Sequence, residues 1–376
     1  MSPPHRRILM TTDAVGGVWT YSTTLARALC ARGDEVVLVA TGPAPRPEQL
    51  VVIADVPGLA FEETDLALEW MDPEGDDIPR ARTVLADMAD RTAPDVIHLN
   101  SFREAAFELP APVLVVAHSC VGSWWQACRP DLPIEPRWQT YLRNVASGLE
   151  SADAWVAPTQ TYRHWIERYY SPRRNGDAIC NGAVAGSAAA KQPFILAAGR
   201  LWDEAKNLRM LARIASALPW RLRVAGATHS PDGEAACTPT GLDCLGELPH
   251  AALIEHMRSA AIFVAPALYE PFGLTILEAA GCGCALVLAD IPSLRELWNG
   301  AALFVDPHDD TGFAEALRML VDDEALRTRF QRSAQRRARR YSLDATIEDY
   351  CALYGRLTDS LQPRRDPAAA RAGAVR

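Results

Sequence analysis

Lysine is almost missing from this chain. Of its 38 basic residues only Lys191 and Lys206 are lysine, and the rest are arginine. Lysine carries a compact point charge and arginine a planar fork, so a lysine kept in this background hints at a need for concentrated charge. An excess of cations is missing too. The formal net charge is −9, which argues against nucleic acid as the main partner, because that needs a basic footprint. No apolar run reaches the roughly 18 residues of a membrane-crossing helix. The opening MSPPHRRILMTTD has a three-residue apolar stretch, too short for the core of a secretion signal. A cytoplasmic location is the resulting expectation.

Cysteine patterning is equally uninformative. The nine cysteines are odd in number and scattered, and no C-x-x-C pair occurs. Metal-ligand spacing is therefore absent, a disulfide framework is not expected in so large a chain, and the cysteines read as small buried hydrophobes. No G-x-G-x-x-G follows a leading strand, which disfavours a nicotinamide dehydrogenase.

What is present is alternation. RILMTTD, EVVLVAT, DVIHLNS, PVLVVAHS and AWVAPT read as short buried strands, separated by helical patterns such as RARTVLADMADRTA. The acidic stretch 62–77 reads as a surface excursion. Residues 183–192 lapse into AVAGSAAAKQ, a linker composition. The scheme then restarts with FILAAGR, WRLRVAGA, LDCLGEL, AIFVAPAL, ALVLAD and AALFVD. The expectation is α/β: two doubly wound, Rossmann-like domains facing across a cleft, with ligands outside the carboxyl ends of the strands. The boundaries are residues 1–184, a hinge at 185–192, a second domain at 193–342, and a disordered tail at 362–376.

Four strand-end turns carry the chemistry. Asp13-Ala-Val-Gly16-Gly17-Val joins a strand to a helix, and its glycines let amides approach an anion or sugar, although a plain tight turn has the same composition. Ala117-His118-Ser119 follows VLVV, with Trp124 and Trp125 beyond it as candidates for an acceptor side or for simple packing. Gly199-Arg200-Leu-Trp-Asp-Glu-Ala-Lys206-Asn207 offers a fork and a point charge suited to a diphosphate; two solvated bases are the alternative. The fourth is ALYEPFGLTILEAAGCGC. Pro271 and Gly273 turn the chain sharply, and a helix starting near Leu274-Thr275 aims its first amides at the cleft. Glu278 falls about one turn inside, an acceptor suited to adjacent hydroxyls, and Glu270 precedes the turn.

EPFGLTILEA, with Glu270 and Glu278 in E-x7-E spacing, strongly resembles the retaining nucleotide-sugar glycosyltransferases of family 4 with the GT-B fold. The Gly-Gly turn, His118-Ser119, Asn181-Gly182 and the GRL…KN segment follow in the family's order, so the resemblance covers about residues 6–355. It implies that Arg200 and Lys206 hold the donor diphosphate, aided by amides at Gly273, Leu274 and Thr275 beside Phe272. It implies that Glu278 takes ribose hydroxyls and Glu270 those of the transferred sugar. Gly16 and Gly17 would close over the phosphates, with His118 near the sugar. Catalytic roles then fall to Glu270, His118, Lys206 and Arg200. A final helix at 343–361 would cross back to the first domain. Two departures stand out: the acid that often follows Asn181-Gly182 is missing, and the Arg200–Lys206 interval is one residue longer, with Asn207 where glycine is frequent.

The implied reaction moves a sugar from a nucleoside diphosphate to an acceptor hydroxyl with retention. No cofactor is expected beside the nucleoside-diphosphate sugar donor, and no metal. The acceptor would be a sugar, a lipid-linked group or a small molecule. No acid pair is visible flanking the anomeric carbon, which favours displacement on one face, the leaving phosphate taking the acceptor proton. A sugar-nucleotide epimerase, a phosphorylase and a non-catalytic sugar-nucleotide-binding protein are the alternatives. Finally, Arg329, Arg332, Arg336 and Arg340 recur along one helical face, suiting either an anionic membrane or solvent.

Overall fold

The apolar runs become strands because both of their faces are covered. β1 (Arg7–Asp13) is buried from Ile8 to Thr12, and all five residues of ALVLA are buried. Parallel sheets sandwiched by helices require such continuous apolar runs rather than alternation. The computed structural model describes residues 5–184, 186–187, 189–231, 233 and 241–359. The tail at 362–376 lies outside the described residues, as do the last two positions of the expected crossover helix.

The first sheet is parallel throughout. Its strands are β1, β2 (Glu35–Thr41), β3 (Leu59–Glu63), β4 (Val96–Leu99), β5 (Val113–Val116), β6 (Ala154–Ala157) and β7 (Asp177–Ala178), in the order β3-β2-β1-β4-β5-β6-β7. The second is also parallel. It holds β8 (Gln192–Ala198), β9 (Arg221–Ala225), β10 (Asp243–Gly246), β11 (Ala260–Ala265), β12 (Ala285–Ala289) and β13 (Ala302–Val305), in the order β10-β9-β8-β11-β12-β13. Strand order reverses between β1 and β4 in one sheet and between β8 and β11 in the other. Ligands of doubly wound sheets bind at such switch points. The Gly16-Gly17 turn leaves β1, Arg200 follows β8, and Glu270 follows β11. The topology thus gathers the motifs at two matching places.

The helix Leu343–Asp359 returns to the first domain. Its Ile347, Tyr350, Leu353, Tyr354 and Leu357 join the core formed by Ile8, Met10, Leu25 and Leu114. Tyr354 Oη lies 2.6 Å from Nδ1 of fully buried His98 on β4. Where the acid after Asn181-Gly182 is missing, backbone holds the hinge: Ala183 N–H donates to Tyr341 and Leu343 N–H to Ala183, each at 3.2 Å. Lys191 donates to the carbonyls of Met257, Arg258 and Cys282 at 3.2, 2.9 and 2.7 Å, fastening the linker to the second domain.

The acidic stretch 62–77 departs from the expected surface excursion. Its first two residues belong to edge strand β3, and Glu69 turns inward to accept from the backbone N–H groups of Phe102, at 2.8 Å, and Arg103. Burial, reinforced by Glu104, raises the Glu69 carboxyl against these donors. Composition signals solvent, but the two amides at the end of β4 provide a buried partner. The cysteines also divide: Cys120, Cys282 and Cys284 are buried, while Cys30, Cys128, Cys180, Cys244 and Cys351 are partly covered.

Candidate active site

The segment after β8 is built around an aspartate to which the sequence assigns no role. Asp203 begins the turn Glu204–Lys206, accepting from Ala205 N–H at 3.0 Å. Its other oxygen receives Nη2 of Arg200 at 2.6 Å. Burial would raise this carboxyl, but Arg200 and Lys206 outweigh burial and hold it low. The Arg200 guanidinium also lies over Trp202, 5.2 Å from the ring centre. The fork is therefore held from two sides. Asn207 explains its own substitution for glycine. It takes a left-handed φ of +51°, which asparagine tolerates, and its amide donates to the carbonyls of Pro266 and Pro307 at 3.0 and 2.9 Å.

The turn after β11 forms the adjoining wall. Gly273 has φ +88°, a conformation that favours glycine, and it precedes the helix Leu274–Gly281. Phe272 is buried edge-on against Tyr341, with ring centres 6.0 Å apart. Leu274 packs against the cores of both domains. Thr275, in the first turn, is half-buried.

Both glutamates, expected to accept from ligand hydroxyls, have one oxygen engaged by a side chain of the protein itself. Glu270 Oε2 is ion-paired with Lys206 Nζ at 2.6 Å, and Glu278 Oε1 is hydrogen-bonded to His250 Nε2 at 2.7 Å. Carboxylates this covered are costly to leave without partners. Each pair engages one oxygen of its glutamate. The partner of Glu270 is itself one of the two expected diphosphate cations, so cation and carboxylate occupy one place in the cleft.

The opposite wall comes from the first domain. Gly16 caps the helix Gly17–Ala31, whose free N–H groups make its end an anion-binding position. A Cβ on Gly16 would fall 2.5 Å from Arg200 Nη1, whereas one on Gly17 would meet only Leu274 Cδ1 at 3.9 Å. The turn and the guanidinium thus meet across the cleft. Asp13, at the end of β1, accepts from Val15 N–H at 2.9 Å. Burial raises its carboxyl against that bond and the attraction of Arg200.

His118 stands at the end of β5. Its Nε2 is 2.8 Å from Asn100 Oδ1, and the Asn100 amide donates to Thr11 at 2.5 Å, which fixes the oxygen toward the imidazole. Nε2 therefore carries a proton and Nδ1 a lone pair. Burial lowers the imidazole to about 3. At neutral pH His118 is a neutral hydrogen-bonding group and contributes no positive charge.

Trp124, a candidate in the sequence, and three residues outside the expected set, Ser123, Tyr269 and Glu296, bind the walls together. Trp124 Nε1 donates to Asp203 at 3.2 Å, and Ser123 Oγ lies 2.6 Å from Tyr269 Oη. Trp125 instead donates to Leu132 within its own domain at 2.9 Å, a packing role. Glu296, from the second domain, accepts from the first N–H groups of the helix Gln160–Tyr170 at 2.8 and 2.7 Å. These partners are far apart in sequence, so no local pattern pairs them. Among the described residues no three His, Cys, Asp or Glu side chains gather to hold a metal ion, and no helix is long and apolar enough to cross a membrane.

Comparisons with known proteins bear on the family and the fold. Residues 15–184 match the family described as Glycosyltransferase Family 4, and residues 192–323 match Glycosyl transferases group 1. A D-inositol 3-phosphate glycosyltransferase of Stackebrandtia nassauensis is 31% identical over 52% of this chain and 46% of its own length. The match thus spans about half of that relative. Among solved structures, sucrose-phosphate synthase from Thermosynechococcus elongatus superposes with a TM-score of 0.80 at 18% identity, covering 95% of this chain and 100% of that one. Anabaena Alr3699/HepE in complex with UDP and glucose gives a TM-score of 0.73 at 16% identity, covering 94% and 100%. At these identities the structures establish a shared fold. With both domains matched in their order along the chain, this protein belongs to the family 4, group 1 glycosyltransferases and has the GT-B fold.

Proposed function

We propose that the chain transfers a sugar from a nucleoside-diphosphate sugar to an acceptor hydroxyl with retention at the anomeric carbon. The observation that carries this reading is the meeting of Arg200 with the Gly16 turn of the other domain, with Asp203 set between Arg200 and the Lys206 that pairs with Glu270. Arg200 and Lys206 hold the diphosphate, with the amides of Gly273, Leu274 and Thr275 on one side and those after Gly16 and Gly17 on the other. Glu278 takes the ribose hydroxyls. Glu270 and neutral His118 hold hydroxyls of the sugar, the lone pair of His118 Nδ1 suiting a hydroxyl donor. The bond between the anomeric carbon and the phosphate oxygen breaks as the bond to the acceptor oxygen forms. The acceptor's proton passes to the departing phosphate. Charge develops on that phosphate, where fixed cations and amides act most strongly. These groups supply the stabilisation without a metal, and full turnover in chelator is the expected result.

Solved relatives bound to UDP or UDP-glucose support a nucleotide-sugar donor here. Thermal shift with UDP, GDP and ADP sugars identifies it, because a ligand of the folded state raises the melting temperature. Product analysis of the anomer then tests retention. No stabilisation by any of these donors would overturn the reading. Nucleotide release without an acceptor product would favour the epimerase, and binding without turnover a sensing protein. A lipid-linked acceptor at the cytoplasmic membrane face is favoured by one surface: Arg329, Arg332 and Arg336 are exposed on the helix Glu324–Ala338, Arg340 is exposed in the turn just past it, and the four form no ion pair among the described residues. Co-sedimentation with vesicles that ignores anionic lipid content would end that version.

A further inference from the structure

The helix His250–Ser259 begins with a residue that no motif singles out. His250 Nε2 donates to Glu278 Oε1 at 2.7 Å, joining two helix starts 28 residues apart. The glutamate side chain is 9% exposed and the imidazole 49%. The carboxylate is thus nearly enclosed, while the imidazole sits at the rim with its far side in water.

A carboxylate on a flexible stem recognises a pair of hydroxyls only when its plane is held, and a donor fixed to one oxygen holds it. Glu278 Oε2 has no hydrogen-bond partner among the described residues, so the bond from His250 leaves that oxygen as the open acceptor. Lys191, Glu255 and Arg258 share with Glu278 the neighbourhood of Cys282, at the end of the same helix. Lys191 is bound to backbone carbonyls and Arg258 to Glu255, which leaves His250 as the side chain oriented toward Glu278.

We infer that His250 is a positioning residue for nucleotide recognition: it fixes the Glu278 carboxylate so that the chain distinguishes nucleotides with ribose hydroxyls from those without. The inference rests on the ribose role proposed for Glu278, and the experiment separates the two. Calorimetric titrations would use UDP and 2′,3′-dideoxyuridine diphosphate, with GDP and ADP and their dideoxy forms alongside, against the wild type, His250→Ala, His250→Gln and Glu278→Ala.

In the wild type the hydroxyl-bearing nucleotide binds more tightly. His250→Ala reduces that preference by about fivefold, the equivalent of one ordinary net hydrogen bond. It leaves the dideoxy nucleotide nearly unaffected. His250→Gln, which keeps a donor at a similar reach, restores most of the preference. Equal weakening of both nucleotides by His250→Ala, or no recovery with His250→Gln, overturns the positioning role. If Glu278→Ala removes the preference but His250→Ala does not, the inference about His250 fails and the ribose role of Glu278 stands. If Glu278→Ala leaves the preference intact, both fail.

Discussion

Gly16→Ala separates a functional contact from a structural one. The added Cβ would lie 2.5 Å from Arg200 Nη1 and 3.7 Å from Arg200 Cζ, with no other contact within 4 Å. Ordinary contacts between such atoms begin near 3.5 Å, so the guanidinium must retreat by about 1 Å. It cannot do so freely, because Asp203 holds Nη2 at 2.6 Å and Trp202 lies against the group. The fold has little at stake, since the obstructing atom ends a flexible side chain. Loss of a favourable capping residue costs about 1 kcal/mol. In a domain of this size that is a shift of roughly 2–4 °C in Tm. Catalysis has much more at stake, because a displacement of about 1 Å in a positioning group can cost roughly a hundredfold. The expected outcome is a small change in Tm by calorimetry with kcat/KM lower by about two orders of magnitude, read as nucleoside diphosphate release. Gly17→Ala, with its 3.9 Å clearance, should leave Tm unchanged. Near-normal turnover in Gly16→Ala would refute the placement of Arg200 on the diphosphate. Collapse of Tm by more than about 10 °C would show that the glycine serves the fold.

Three further outcomes are expected. Lys206→Ala removes a cation and leaves Glu270 without its partner; steady-state turnover should fall by roughly two to three orders of magnitude, and unaltered turnover would remove Lys206 from the reaction. Lys191→Met takes a charged donor from three carbonyls and should lower stability in urea titration by at least about 1.5 kcal/mol; no change would mean that solvent replaces it. Burial, with His118 nearby, holds His98 down at about 3, against 6.5 ordinarily, so below pH 6.5 the unfolded chain binds a proton that the folded chain refuses. The stability of neutral His98 is therefore present above that value and lost as pH falls toward 3, by up to about 1.4 kcal/mol per pH unit. Urea titrations at pH 7, 5 and 4 should show a shallower acid loss for His98→Gln, and parallel losses would exclude His98 as the cause.

The two-domain α/β plan and the positions of the four strand-end turns were legible in the amino-acid sequence alone. Buried parallel strands must be written as apolar runs, and their alternation with amphipathic helices is a local property. Glu-Pro-Phe-Gly is legible for a similar reason: the turn needs a residue at positive φ before the helix, and Gly273 supplies it. Tertiary structure alone decided which groups those residues meet. Glu270 pairs with Lys206 across 64 positions, and Glu278 with His250 across 28. Asp203, which the sequence presents as one acid among solvated charges, becomes the buried anchor of Arg200 and the acceptor for Trp124. His118 was legible as a strand-end histidine, but its neutrality comes from burial beside Asn100 and Tyr21. An apolar strand is written in a few consecutive residues, whereas a side chain's charge state and partner depend on desolvation by elements far away in the chain. Only the folded molecule brings those elements within bonding distance.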